Sequence, residues 1–353
     1  MMDDEMVRAA EDALRNERIV MGESVFRFEE EFAEYVGTKR AVSVSSGTDA
    51  LILALRAVGV EGGDVITTPL TFIASANSAT LAGGRPVFAD VRGDDNNIDP
   101  ERVREKLTDR TRCVLPVHLF GHPARVDELE DIVGDVPIVE DAAQAHGAAL
   151  GGRNVGTLGT LGCFSFYPTK NMNVGGDGGM VTTDDEGLAD LVAKLRDCGR
   201  TSRYEHDVVG YTARLNTVNA AIGRVQLRRL DAWNARRADI ASRYDDALRG
   251  VSGLELPPSP DDRFRPVHHL YAVRCPDRDA LAEHLSSKGV ATAIHYPLPV
   301  HLQPAYSGLG HARGDFPVAE SLSDRLLSLP MSPDITDDEV SVVIEAVLEF
   351  FGR

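Results

Sequence analysis

Short apolar, β-rich runs alternate along the chain with stretches whose apolar residues recur at helical spacing. The pattern predicts strands at 40–44, 64–67, 86–89, 112–117 and 136–139. Helices are predicted from near Thr48, with Leu51, Leu55 and Val58 on one face, over 72–81 and over 125–133. Strands alternating with helices mean an α/β domain around a mostly parallel sheet. In such sheets ligands gather beyond the carboxyl ends of the strands, so residues just after the strands carry the chemistry. A long helical pattern rich in Arg, Ala and Leu runs from 218 to 248. The segment 251–266, with Pro257, Pro258, Pro260 and Pro266, then breaks regular structure and reads as a domain connection. Beyond it, a strand at 269–275, a helix at 277–288, a strand at 291–295 and two further helices predict a small C-terminal α/β domain. The expected division is 1–250 for a large domain and 251–353 for a small one. A length of 353 residues and a hydrophobic share of 43% fit two globular cores.

Charge narrows the partners. Against 55 Asp and Glu stand 37 Lys and Arg, a net charge of −18. Nucleic acid and anionic membranes need clustered positive charge, so neither is expected as a partner. The acidic surface reads either as the mark of an arginine-rich, GC-rich genome or as adaptation to high intracellular salt. The salt reading is the one preferred here, because molar salt would screen the self-repulsion of such a charge. The start Met1-Met2-Asp3-Asp4-Glu5 lacks the basic and apolar parts of a signal peptide, and no run approaches the roughly 20 apolar residues of a spanning helix. Cys113, Cys163, Cys198 and Cys275 stand singly, as expected of reduced thiols in a cytoplasmic protein. Only Lys39, Lys106, Lys170, Lys194 and Lys288 are lysines. Chemistry that needs a lysine must use one of these.

Several common chemistries drop out. No Gly-x-Gly-x-x-Gly fingerprint follows a strand, no lysine follows a glycine as in a P-loop, and no HExxH or zinc spacing occurs. No metal site is expected. Lys170 ends the apolar run Phe164-Ser165-Phe166-Tyr167-Pro168-Thr169, just before the glycine-rich Gly175-Gly176-Asp177-Gly178-Gly179. Lysine can lose its proton and form a Schiff base, whereas arginine cannot. Asp141, at the carboxyl end of a predicted strand, suits either a protonated ring nitrogen or a helix N-cap. Ser46-Gly47-Thr48 occupies a strand-to-helix turn that suits a phosphate, or simple capping with Thr48 as the N-cap.

These pieces recur together with Ser46-Gly47-Thr48-Asp49-Ala50-Leu51, Thr71-Phe72-Ile73-Ala74, Pro116-Val117-His118-Leu119-Phe120-Gly121, Glu140-Asp141-Ala142-Ala143-Gln144-Ala145-His146-Gly147 and His295-Tyr296-Pro297. In that order, over almost the whole chain, the set resembles the DegT/DnrJ/EryC1/StrS aminotransferases. These are pyridoxal-phosphate enzymes that aminate nucleotide-linked keto-sugars. The resemblance implies the PLP-dependent transferase fold, aspartate aminotransferase-like and fold type I. It implies a cytoplasmic homodimer with shared active sites, a role in polysaccharide biosynthesis, and glutamate as the amino donor to a nucleotide-diphosphate sugar. It casts Lys170 as the lysine that binds the cofactor and shuttles the proton, and Asp141 as the partner of the ring nitrogen. Phe72 and Ala143 would cover the two ring faces, although plain core packing also accounts for Phe72. Gln144 would reach the ring hydroxyl. The Ser46-Gly47-Thr48 turn and Ser165 would hold the phosphate.

Two segments depart from the family pattern. In Gly210-Tyr211-Thr212-Ala213-Arg214-Leu215-Asn216, Thr212 stands where many members carry the asparagine that reaches the neighbouring subunit's phosphate, so Arg214 or Asn216 would supply that contact. The loop 171–177 also differs, so sugar specificity does not carry over from relatives. His295, Tyr296 and His301 would form the substrate side. Two other readings compete: a sugar 3-dehydratase of the same fold, and a non-catalytic cofactor-binding regulator. Lys170 argues against the first, because dehydratases that work with pyridoxamine phosphate alone carry histidine there, and the spacing of Cys113, Cys163, Cys198 and Cys275 does not supply the cluster of the iron–sulfur kind. The intact Lys170, Asp141 and Gln144 argue against the second.

Overall fold

The computed structural model describes residues 2–258 and 261–352. Met1 of the acidic start and Pro260 of the Pro-rich connection lie outside them. The larger part of the chain is built on strands β1 (Arg40–Val44), β2 (Asp64–Thr67), β3 (Arg85–Phe88), β4 (Thr111–Leu115), β5 (Val139–Asp141), the short pair β6 (Ala149–Leu150) and β7 (Arg153–Asn154), β8 (Leu161–Ser165) and β9 (Gly179–Thr183). The order β3-β2-β4 is joined to β5-β8-β9-β1 by parallel bridges from Val114 to Ile138 and from Val117 to Asp141. All neighbours run parallel except around β9, which is antiparallel to both β8 and β1. The expectation of a mostly parallel α/β sheet is met.

Helices α1 (Asp4–Asn16), α2 (Glu23–Val36), α3 (Gly47–Ala57), α4 (Ala74–Leu81), α5 (Pro100–Lys106), α6 (Val126–Val133), α7 (Glu186–Leu195), α8 (Thr217–Leu227) and α9 (Leu230–Leu248) accompany this sheet. The C-terminal part adds β10 (Phe264–Arg265), β11 (Tyr271–Arg274), α10 (Arg278–Ser287), α11 (Pro317–Arg325), β12 (Leu326–Leu329) and α12 (Asp337–Phe350). Among the described residues no helix is long and apolar enough to cross a membrane.

Four local expectations are corrected. The pattern at 218–248 is two helices, separated at Arg228 and Arg229, whose guanidinium groups pair with Asp3 before α1 and Glu5 in its first turn. The strand expected at 136–139 begins only at Val139, since Pro137 has no N–H to give to a ladder. The segment 291–295 makes a single antiparallel bridge, Ala293 to Ser328, and then leaves β12 towards the cavity described below. The Pro-rich stretch returns to the large part, where β10 pairs with β6. Packing also divides the chain differently from sequence position. Ile240, Ala241, Tyr244 and Leu248 of α9 belong to the core formed with Tyr271, Val273, Leu281 and Val343. A further core, with Leu70, Phe88 and Val117 against Ala272, Val300 and Leu326, locks the two parts together.

Candidate active site

A cavity of about 510 Å³ opens beyond the carboxyl ends of β1, β5 and β8. Its lining includes Ser46, Gly47, Thr48, Phe72, Asp141, Ala143, Gln144, Ser165, Lys170, His295 and Tyr296, which covers most of the residues singled out above. Close backbone approach shapes the β1 end. A Cβ on Gly47 would lie 2.5 Å from the Ser165 Cβ, so only glycine lets the first turn of α3 sit against β8. Ser46, not Thr48, is the N-cap: its Oγ accepts from the Asp49 N–H at 3.0 Å and donates to Asp49 Oδ2 at 2.8 Å. That leaves the Thr48 hydroxyl without a hydrogen bond among the described residues. The N–H groups of Gly47 and Thr48 have no intrahelical acceptor, as at every helix start. Together with the Ser165 hydroxyl they make a cradle for an anion.

Asp141 lies at the end of β5 and is 5% exposed. The Ser75 hydroxyl donates to its Oδ2 at 2.7 Å and the Ala143 N–H to its Oδ1 at 3.2 Å. Burial pushes its carboxyl up, opposed by those two donors and by the charge of Lys170. A cation placed against it would be strongly held. Its neighbour Glu140 faces away and is saturated: it accepts from the N–H groups of Gly156, Leu158 and Gly159 at 2.8–2.9 Å. His118 completes that set. Its Nδ1 accepts from the Ala124 N–H, so its Nε2–H donates to Glu140 at 3.0 Å. This buried clasp fixes the strand end from which Asp141 projects.

Lys170 sits in the turn after β8, its N–H donating to the Tyr167 carbonyl at 2.9 Å. Its Nζ forms no hydrogen bond among the described residues, and burial pulls the amine down to about 8, against the raising effect of Asp141. At neutral pH such an amine supplies a sizeable share of free base, as a carbonyl-capturing lysine requires. Phe72 is 56% exposed and so is not packed in the core of this chain, and its ring lies 6.2 Å from Tyr296. Gln144 is held at both ends: Oε1 accepts from the Phe120 N–H at 2.6 Å, and Nε2 donates to the Tyr296 hydroxyl at 3.1 Å. Burial pushes the Tyr296 phenol up to about 12, so it stays neutral.

Three of the sequence candidates lie elsewhere. His301 is buried outside the cavity, its Nε2 paired with Glu320 at 3.0 Å and its ring against Phe316. Arg214 is paired with Asp197, and Asn216 caps α8 by accepting from the Asn219 N–H at 2.9 Å. Neither lines this cavity. Conversely, Ser75, Tyr167, Thr169, Asp177 and His269 line it without having been singled out. Ser75 could have been found from its place one turn beyond Thr71-Phe72. His269 carried no signal, because its partners are distant in sequence.

The profile of the DegT/DnrJ/EryC1/StrS aminotransferase family matches residues 1–348. A dTDP-3-amino-3,4,6-trideoxy-alpha-D-glucose transaminase from Streptomyces venezuelae is 43% identical over 99% of this chain and 94% of its own. The erythromycin biosynthesis sensory transduction protein EryC1 of Saccharopolyspora erythraea is 45% identical over 90% of this chain and 87% of its own. Among solved structures, S. venezuelae DesV in complex with a ketimine intermediate superposes with a TM-score of 0.96 at 43% identity, covering 99% of this chain and 95% of that one. The chain belongs to the DegT/DnrJ/EryC1/StrS aminotransferase family. Members of this family use pyridoxal phosphate in general. The fold is that of the PLP-dependent transferases.

Proposed function

We propose that this protein is a pyridoxal-phosphate-dependent transaminase that moves an amino group from glutamate to the keto carbon of a nucleotide-diphosphate-linked hexose. One observation carries the reading: a desolvated lysine without a hydrogen-bond partner shares a cavity with a buried carboxylate and a helix-start anion cradle. The residues fit the cofactor. Gly47, Thr48 and Ser165 would hold its phosphate, Phe72 and Ala143 its ring faces, Asp141 its ring nitrogen, Gln144 its hydroxyl, and Lys170 its aldehyde carbon. When bound, the cofactor supplies an electron sink for the charge that develops at the amine-bearing carbon. Asp141, ionised, keeps a proton on the ring nitrogen. Lys170 Nζ is the base that takes the proton from the donor's Cα and the acid that returns one to the sugar carbon. His295 and Tyr296 form the sugar wall. A homodimer is part of the reading, with Arg214 or Asn216 turned to the partner's phosphate; both lie clear of this chain's own cavity, as that role requires.

The test is spectroscopic. Protein loaded with pyridoxal phosphate should show a band near the visible edge, lost in Lys170→Ala. Glutamate should bleach it, and a nucleotide-linked keto-hexose should restore it. The 3-keto counterpart of the dTDP-linked 3-amino sugar named for the S. venezuelae relative is the first substrate to try. A band indifferent to glutamate and to every other amino donor would overturn the reading.

A further inference from the structure

His269 lines the cavity beside His295 and Leu270, 6% exposed, at the point where the chain enters β11. Its Nδ1 lies 3.0 Å from Asn171 Oδ1. The orientation of that amide is not free. Asn171 Nδ2 donates to the Val267 carbonyl at 3.1 Å and to Asn234 Oδ1 at 2.9 Å, and Asn234 Nδ2 in turn donates to the His146 carbonyl at 2.8 Å. Backbone carbonyls accept only, so each amide nitrogen must face its carbonyl and the Asn171 oxygen must face the imidazole. Nδ1 therefore carries the proton and Nε2 carries a lone pair. Nε2 has no hydrogen-bond partner among the described residues, and it is absent from the sealed, unpartnered polar atoms, unlike both ring nitrogens of His146. It is open to the cavity.

Nε2 is also kept from gaining a proton. Burial holds the imidazole well below the ordinary histidine range, and Lys170 and Arg237 add to that effect. Arg237 secures the backbone, donating to the carbonyls of His268 and His269 at 3.3 Å. Its neighbours are tied on one side each: the Tyr296 hydroxyl accepts from Gln144, and His295 Nδ1 lies 2.9 Å from the Ser328 hydroxyl, leaving the Tyr296 O–H and His295 Nε2 as further groups for the sugar. A keto-sugar whose carbonyl reaches Lys170 brings its ring hydroxyls to this wall, and a hydroxyl needs an acceptor.

We propose that His269 is a specificity-determining residue whose Nε2, held as an obligate acceptor by Asn171 and Asn234, takes a hydrogen bond from a sugar hydroxyl beside Lys170. The proposal rests on the nucleotide-sugar reading above. A site that accepts from a hydroxyl discriminates against the analogue that lacks it, because the buried acceptor is then left unpaired.

Two variants separate the acceptor from the tether. His269→Asn keeps a group near Nδ1 and does not reach Nε2; His269→Gln puts an amide oxygen near Nε2. They are compared as holoenzymes on a panel of dTDP- and UDP-linked 3-keto and 4-keto hexoses, with calorimetric titration of the matching amino-sugar product. The Asn variant should raise KM for the best sugar and weaken product binding about tenfold. The rate of bleaching by glutamate should stay within about twofold, and the Gln variant should recover most of the loss. Equal behaviour of the two variants, an unchanged KM in the Asn variant, or an equal slowing of the glutamate step would overturn the proposal while leaving the transaminase reading intact. Wild-type protein that reacts with no sugar on the panel would overturn both.

Discussion

The wall that carries Lys170 and Asp141 is made of strand ends and a helix start, whereas the facing wall, with His269, His295 and Tyr296, is irregular backbone held by side-chain tethers. On the first wall each group is positioned by the element it terminates: Asp141 by β5, Lys170 by the turn after β8, Gly47 and Thr48 by α3. On the second, position comes from contacts far apart in sequence: Asn171 to His269, Ser328 to His295 and Gln144 to Tyr296. Ladder-built positions change little when one side chain is altered, so this wall suits chemistry shared by many substrates. Tethered positions shift when one tether changes, so the other wall suits recognition.

The largest effect should come from the strand-end wall. Asp141→Asn removes the charge that would hold a cationic ring nitrogen, and kcat should fall about 100- to 1,000-fold with little change in the KM for either substrate. A fall of less than about tenfold would mean that Asp141 is no more than a cap.

Next comes a pH dependence. With Lys170 near 8, the reactive amine is lost by protonation as pH falls. The rate at which cofactor-free protein captures pyridoxal phosphate should climb about tenfold per pH unit below that value and level off above it. Stopped-flow growth of the near-visible band measures this. Asp141 raises the lysine, so Asp141→Asn should move the midpoint down. A wild-type midpoint near that of an ordinary lysine would contradict the desolvation of Lys170.

The smallest catalytic effect belongs to His301. Although the sequence grouped it with His295, it lies under α11, where its loss would leave the Glu320 carboxylate short of a donor. His301→Ala should leave the sugar KM within about twofold and cost roughly 1–3 kcal/mol of stability. Steady-state kinetics beside thermal melting would test this, and a selective rise in KM would return His301 to the substrate wall.

How far the site was legible follows the same contrast. Ser46 to Thr48 and Asp141 could be read because each follows a predicted strand, where α/β sheets bind ligands, and Lys170 because it ends a plain apolar run, whereas Ser165 came only with the family resemblance. Phe72 was ambiguous, since periodicity cannot distinguish a buried aromatic from one left open. His301 and His295 stand six residues apart, and nothing in that spacing shows that the chain turns from the cavity between them. The break between α8 and α9 also escaped: Arg228 and Arg229, both good helix formers, sit at it and pair with Asp3 and Glu5, over 220 residues away.

By itself, the chain determined the alternation of strands and helices, the strand-end groups and the one lysine placed for Schiff-base chemistry. These depend on local periodicity and on the functional groups each side chain carries. Only the tertiary structure decided the tautomer of His269, the withdrawal of His301 and the absence of Arg214 and Asn216 from the cavity lining. The first two depend on which group remote in sequence supplies the hydrogen-bond partner, and all of them on where the chain lies relative to the cavity, which no local pattern specifies.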